Sequence, residues 1–247
     1  MSRDLSVVVP AYNEAARIGT TLDSIASYLA VRDRDDEVIV VDDGSTDDTP
    51  DVVLEHAEKF RRLRVLPVGF NGGKGRAVRL GMLAGAGRYR LFLDADNSTD
   101  IRELDRLMAA ADAEPVEPAV VIGSIACPAS VVTREQSRLR SSLGRAGNRL
   151  IQRLVLPGIT DSQRGFKVFS GPACDQIFTR CRVDGWAFDV EVLAVARALG
   201  HHVLEVPITW EHRDGGQVRP TAYIETLRDV LRIRRDLRRD RYDVRAG

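Results

Sequence analysis

Leu91-Phe92-Leu93-Asp94-Ala95-Asp96 joins a short apolar run to two carboxylates separated by one residue. An apolar run of that length, closed by polar residues, reads as a buried strand. Side chains alternate along a strand, so Asp94 and Asp96 would leave its end on one side. The same pattern recurs on both sides of this stretch. Val7–Val9, Glu37–Val41, Arg64–Val68 and Ala119–Ile122 are further strand-like runs, and Arg90–Leu93 is the strand that ends on Asp94. Between them lie Glu14–Leu29, Asp48–Phe60, Lys74–Ala86 and Ile101–Ala113, with apolar residues at helical spacing. Strand–helix alternation predicts an α/β fold, a mostly parallel sheet flanked by helices. Ser45-Thr-Asp-Asp and Thr99-Asp100 supply caps ahead of two of these helices.

Beyond Pro128 the pattern changes. Arg134–Leu156 reads as one long basic amphipathic helix, Asp161–Ser170 as a loop entering a strand and Phe188–Leu199 as a helix. Val203–Trp210 reads as a strand and Thr221–Arg241 as a final helix. A chain of 247 residues has room for one α/β domain and is short for two. The expectation is therefore a single domain, 1–247. Residues 1–127 would form its nucleotide-binding half and 128–247 its acceptor half.

Lys plus Arg and Asp plus Glu both number 36, so charge gives no argument for a nucleic-acid partner. The three cysteines, Cys127, Cys174 and Cys181, form no C-x-x-C, which argues against both a disulfide framework and a zinc site. A reducing, cytoplasmic compartment is expected. Met1 leads directly into Leu5–Pro10 without the pattern of a signal peptide. No run approaches the roughly 18 apolar residues of a membrane span. Any membrane contact is expected to be peripheral, at the inner face. The basic stretch Arg228–Arg245 carries Val230, Leu231, Ile233 and Leu237 as an apolar stripe. That stripe fits either a helix docked on the protein or one lying on anionic lipid.

In open parallel sheets ligands bind beyond the carboxyl ends of the strands. Pro10-Ala11-Tyr12-Asn13-Glu14 follows the first strand, Asp42-Asp43-Gly44-Ser45 the second, Asn71-Gly72-Gly73-Lys74-Gly75 the third and Asp94-Ala95-Asp96 the fourth. Four polar loops thus converge on one edge. Asp42 and Asp43 can accept hydrogen bonds from a ribose or a base, although Asp-Gly-Ser-Thr also serves as a turn and cap. The lysine loop fails the Walker pattern, since Val68 stands five residues before Gly73 and Gly75 follows Lys74. A P-loop NTPase is excluded. Glycines still allow close backbone approach, and a lysine opening a helix suits an anion; a glycine-rich turn with a solvated lysine would use the same residues. Asp94 and Asp96 suit a hard divalent cation, Mg²⁺ or Mn²⁺, which takes carboxylate and phosphate oxygens.

In this order the four motifs resemble the inverting GT-A-fold glycosyltransferases of family 2, whose sheet is Rossmann-like. Thr160-Asp-Ser-Gln-Arg-Gly-Phe-Lys167 and Gly185-Trp-Ala-Phe-Asp-Val-Glu191 are similar to the dolichyl-phosphate β-glucosyltransferase and polyprenyl-phosphate sugar synthase branch. The resemblance implies a metal-dependent hexosyltransferase with a nucleotide-sugar donor, UDP-glucose ahead of GDP-mannose, and a polyprenyl-phosphate acceptor. Pro10, Ala11, Tyr12, Glu14, Asp42, Asp43, Lys74, Asp94 and Ala95 would hold the donor. Asp94 and Asp96 would hold the metal. Asp161, Gln163 and Arg164 would stand at the reaction centre, with Asp189 and Glu191 on the acceptor side. Two positions depart from the branch. Arg164 stands where it usually has a cysteine, and Gly216-Gln-Val where it has Gly-Ser-Lys, leaving Arg213 or Arg219 to supply the missing cation.

Asp161 is the candidate general base, with a positioning role as the alternative. An alcohol acceptor would need a base; for a phosphate monoester, with a second pKa of about 6, a base matters less. Asp189 and Glu191, two residues apart, cannot share one helix face. His212, just past Trp210, is a candidate for the metal shell. Three rivals remain at this level. One is a transferase with a soluble acceptor. Another is a sugar nucleotidyltransferase, although no glycine- and arginine-rich loop follows the first strand. The last is a non-catalytic nucleotide-sugar sensor. A homodimer is left open.

Overall fold

Val7 and Val9 leave the first strand on one side and Val8 on the other, and all three are fully buried. A strand buried on both faces belongs at the centre of a sheet covered on both sides. The computed structural model describes residues 3–32, 34–134, 138–213 and 222–244. The first half runs β1 (Arg3–Ala11), α1 (Ile18–Ala30), β2 (Glu37–Asp42), α2 (Thr49–Glu55), a 3-10 turn at Ala57–Lys59, β3 (Leu63–Pro67), α3 (Lys74–Ala84), β4 (Gly87–Leu93), α4 (Glu103–Asp112) and β5 (Val120–Ser124). The second runs β6 (Val131–Arg134), α5 (Arg138–Leu154), β7 (Phe166–Ser170), α6 (Gly171–Phe178), α7 (Phe188–Ala198), β8 (Val203–Pro207), β9 (Thr209–Glu211) and α8 (Ala222–Arg238).

The seven-stranded sheet has the order β3-β2-β1-β4-β7-β5-β8. Neighbours are parallel except at β7, which is antiparallel to both β4 and β5. Two cores flank it. Val8, Ile39, Val41 and Phe92 pack with buried residues of α3, α6, α7 and α8. Val7, Val9, Leu91 and Leu93 pack with those of α1, α2 and α4. The chain turns from β3 back to β4 on the other side of β1, so the β1/β4 crevice is the switch point where such sheets bind ligands.

The expected division at residues 127/128 does not divide the sheet, because β7 from the second half lies between β4 and β5 from the first. The expected strand Val203–Trp210 is two strands. Ile208 is the joint: its N–H donates to Ser124 O in the main sheet, and its carbonyl accepts from Val131 N in the small β6–β9 sheet. Arg134 belongs to β6 and not to the long helix, which starts at Arg138. Helix α6 is not foreseen from the sequence; it opens on Gly171-Pro172, a turn-like pair, yet proline is well suited to a first helical turn. On α8 the stripe read from the sequence faces inward: Val230 and Ile233 are buried and Leu237 packs on the same core, leaving Leu231 outside.

Helix α3 lies tight on the sheet because Gly81 has no side chain. A Cβ there would fall 2.4 Å from Val8 Cγ1 and 2.8 Å from Val41 Cγ2. This close seat brings the start of α3, with Lys74, to the edge where β1 and β4 end. Gly81→Val should overpack this contact and cost about 1–3 kcal/mol. The melting temperature should fall by roughly 2–4 °C for each kcal/mol in a chain of this size. An unchanged melting temperature would contradict the packing.

Candidate active site

Asp94 follows the last residue of β4. The pairing Leu93↔Phe166 sets Gly165 beside it, and Asp94 N donates to Gly165 O at 3.1 Å. A Cβ on Gly165 would lie 2.1–2.2 Å from the Asp94 carboxylate, so only glycine leaves room for that carboxylate. Lys74 Nζ donates to Asp94 Oδ1 at 2.6 Å. Thr21 on α1 holds the next residue, donating to Ala95 O at 2.7 Å. Asn97 takes a positive φ of 54° and turns the chain back, so Asp96 Oδ1 accepts from Ser98 N at 2.9 Å and Ser98 Oγ at 2.5 Å. Ser98 O in turn accepts from Glu211 N at 2.9 Å, which ties the end of β9 to the carboxylate loop.

On the other flank, Pro10 and Ala11 are the last residues of β1 and are buried in the sheet. Tyr12, half-buried, is the first residue past the strand. Asn13, also at positive φ, accepts from Thr46 N at 2.8 Å. Both carboxylates at the end of β2 bind protein. Asp42 Oδ1 accepts from Ser45 N at 3.0 Å. Asp43 grips Gly72 N at 2.9 Å and Gly73 N at 2.8 Å, fixing the loop that leads to Lys74. The start of α3 has two of its peptide N–H groups taken by protein, fewer left for an anion than the sequence suggested. Gly75 N and Arg76 N donate to Asp184 O at 2.7 and 3.3 Å. The cation at this helix start is the Lys74 ammonium, bonded to Asp94.

Charges of both signs alternate inward from this edge. Glu14 forks onto Arg17 at 2.6 and 2.7 Å. Burial raises the Glu14 pKa; Arg17 opposes that, and the negative fields of Asp96 and Asp94 add to it. Burial works against the Lys74 ammonium, but the charges of Asp94, Asp189 and Asp96 outweigh it and hold its pKa above lysine's usual value. Lys74 also lies 5.5 Å from the Trp186 ring centroid and 5.9 Å from that of Phe188. Behind it, fully buried Lys167 donates to Asp189 Oδ1 at 2.5 Å and sits 5.2 Å from the Phe92 ring. Burial raises the Asp189 pKa against the pull of Lys167 and Lys74. Glu191 faces elsewhere: it accepts from Arg182 N, Val183 N and the Tyr242 hydroxyl.

Asp161 is almost fully buried, with Oδ2 accepting from Arg164 Nε at 2.9 Å and Ile125 N at 3.1 Å, and Oδ1 from Asn148 Nδ2 at 3.4 Å. Glu205 on β8 holds the same loop, accepting from Thr160 N and Asp161 N at 2.9 and 2.8 Å. The Arg164 guanidinium lies 4.8 Å over the Trp210 ring. Gln163 is exposed. His212 stands against Trp210, ring centroids 5.9 Å apart. Among the described residues no three His, Cys, Asp or Glu side chains form a metal cluster, so His212 is not gathered with Asp94 and Asp96. Arg213 pairs with Glu211 at 3.0 Å; Gly216-Gln-Val and Arg219 lie outside the described residues.

Sequence reasoning singled out the loops and the motif holding Gly165 and Lys167, but gave those two no role and missed Glu205 and the Asp184 carbonyl. Gly165 did leave a signal, a glycine directly ahead of an apolar strand in a polar motif. The Asp184 carbonyl left none, since it meets α3 across about a hundred residues of chain.

The description of Glycosyl transferase family 2 matches residues 6–178. Among curated relatives, the dolichyl-phosphate beta-glucosyltransferase of Dictyostelium discoideum is 35% identical over 240 residues, covering 93% of this chain and 73% of that one. The human enzyme of the same name is 34% identical over 244 residues, covering 94% and 75%. Among solved structures, mannosyl-3-phosphoglycerate synthase from Rubrobacter xylanophilus shares the fold, with a TM-score of 0.68 at 20% identity over 98% of this chain and 75% of that one. So does Mycobacterium tuberculosis glucosyl-3-phosphoglycerate synthase in complex with Mn²⁺, UDP and glucosyl-3-phosphoglycerate, with a TM-score of 0.62 at 21% identity over 95% and 77%.

Gly165→Ala should leave the fold intact and displace the Asp94 carboxylate. Misplacing a reacting constellation by about 1 Å costs on the order of 100-fold in turnover. Circular dichroism and the melting curve should stay near wild type while sugar transfer falls by that order. Wild-type turnover would contradict the contact's importance.

Proposed function

The chain belongs to glycosyl transferase family 2, and from that membership we propose that it moves glucose from UDP-glucose to a polyprenyl or dolichyl phosphate, with inversion and with a divalent metal. The observation that carries this reading is the contact of Gly165 with the Asp94 carboxylate. It brings the Thr160–Lys167 motif, whose Asp161 and Arg164 would stand at the reaction centre, against the carboxylate that would meet the donor diphosphate. The relatives named as dolichyl-phosphate beta-glucosyltransferases support both the sugar and the acceptor.

Asp94 and Asp96 would hold the metal. Two carboxylates completed by diphosphate oxygens are a donor set that hard divalent ions commonly take. The donor set fits here, because the hydrogen bonds from Lys74 and Ser98 fall on the Oδ1 atoms of Asp94 and Asp96, leaving each Oδ2 to face a cation. When bound, the ion supplies Lewis-acid stabilisation to the leaving diphosphate. Either Mg²⁺ or Mn²⁺ meets this chemistry. Tyr12, Glu14 and the loops fixed by Asp42 and Asp43 would cradle the nucleoside.

Transfer breaks the bond between the anomeric carbon and the β-phosphate oxygen, whose electron pair leaves with the nucleoside diphosphate. An oxygen of the acceptor phosphate forms the new bond from the opposite face. Lys74 is held close enough to Asp94 to shift its charge to the diphosphate as negative charge grows there. Arg164 is the cation of the reaction-centre motif, and Asp161 and Trp210 fix its direction. Asp161 has both carboxylate oxygens engaged, which supports a positioning role. An acceptor phosphate, largely dianionic near neutrality, needs no base.

Purified protein should move label from UDP-[¹⁴C]glucose, in the presence of Mg²⁺ or Mn²⁺, into the organic phase with polyprenyl phosphate. GDP-[¹⁴C]mannose should transfer poorly. Asp161→Asn should lose less than about 100-fold, short of the 10²–10⁴ range typical of a lost general base. No lipid-linked product from any sugar nucleotide, alongside glycosylation of a soluble acceptor, would overturn the reading.

A further inference from the structure

Helix α8 carries two apolar stripes, and the protein covers only one. Ala222, Val230 and Ile233 face the core. Tyr223, Ile224, Leu227 and Leu231 are 54%, 61%, 42% and 50% exposed. At 100° per residue these four fall within an arc of about 100°. Arg234 and Arg238 lie on the same arc, and Arg228 and Arg235 at its edge. The acidic residues Glu225, Asp229 and Asp236 are on the other side of the helix, and Asp236 is turned inward among Arg232, Arg235 and Arg241. The outer face therefore combines large apolar side chains with arginines and holds no carboxylate.

We infer that this face of α8 seats the protein on an anionic lipid surface. A helix with an apolar strip, a cationic flank and no counter-charge between them has the composition of an interfacial helix. Charge complementarity favours lipid over a second copy of this chain, because two such faces would bring arginine against arginine. None of the described helices is long and apolar enough to cross a membrane, so the helix would lie in the interface plane. Its position gives the contact a use. A Cβ on Gly185 would meet Asp229 Oδ2 of α8 at 3.8 Å, and the next residue, Trp186, stands over Lys74. Asp229 is on the face of α8 opposite the exposed apolar strip, so the helix would stand between the rim of the site and the lipid surface. A lipid phosphate has its tail in the bilayer, and its head would reach this rim past one helix diameter, about 10 Å. The inference rests on the lipid-phosphate reading for its purpose, but not for its geometry.

Vesicle binding without donor or acceptor tests it separately from catalysis. The protein should co-float with phosphatidylcholine vesicles containing phosphatidylglycerol at low salt. Binding should weaken by about ten-fold or more on pure phosphatidylcholine or at high salt, where surface charge is screened. Leu227→Asp with Leu231→Asp should abolish it, and Arg228→Gln or Arg234→Gln should each weaken it about five-fold. Turnover of a short-chain, water-soluble polyprenyl phosphate by these variants should match wild type, which keeps a failure here distinct from a failure of the proposed reaction. No flotation at low salt, or flotation unchanged by the paired leucine substitutions, would overturn the inference. So would a dimer in light scattering that the same substitutions disperse.

Discussion

Asp94 donates its backbone N–H to Gly165 O, and at that 3.1 Å bond the two halves of the chain meet. The bond exists because β7 enters the sheet antiparallel between β4 and β5. A parallel strand there would carry its preceding loop to the opposite edge. Reversed, it delivers Thr160–Gly165 to the same edge as the ends of β1, β2, β3 and β4. Asp94 and Arg164 therefore share one edge of the sheet through one strand direction. Gly165 then sets how near they come, since any side chain there would occupy the place of the Asp94 carboxylate.

The charges of this edge are arranged in depth. Asp94 and Lys74 lie outermost, Asp189 within range of both, and Lys167 innermost with no exposure. A buried ion pair is costly to desolvate and is weak evidence for stability. Here Lys167 also donates to the Arg164 carbonyl, so the pair pins the turn that carries Gly165. Its burial is tied to the geometry of the motif above it. Asp43 does the same work on the donor flank, where two peptide N–H groups of the Gly72-Gly73 turn hold it. The polar groups behind Asp94 and Lys74 thus mostly fix loops.

Much of this was legible in the sequence because it is local. Strand runs such as Glu37–Val41 and helical runs such as Lys74–Ala86 carry their period within themselves. The loops after them are polar in an otherwise apolar pattern. What was not legible depends on contacts far apart in the chain. The Asp184 carbonyl caps α3, and Ile208 joins two sheets, by hydrogen bonds that no local pattern encodes. The two stripes of α8 make the same point. Periodicity found apolar residues at helical spacing, and Val230 and Leu231 are neighbours in sequence, yet one is buried and the other half-exposed. Only the position of the sheet decides which stripe is the core's.

The central claim is that Asp94 and Asp96 form a metal site completed by a nucleoside diphosphate. Manganese paramagnetic resonance measures it directly, since bound Mn²⁺ loses the sharp signal of the free ion. The signal should fall strongly only when the protein and UDP are present together, and should persist with Asp94→Asn, Asp96→Asn protein. Loss of signal without UDP, or equal loss with the doubly substituted protein, would contradict the account.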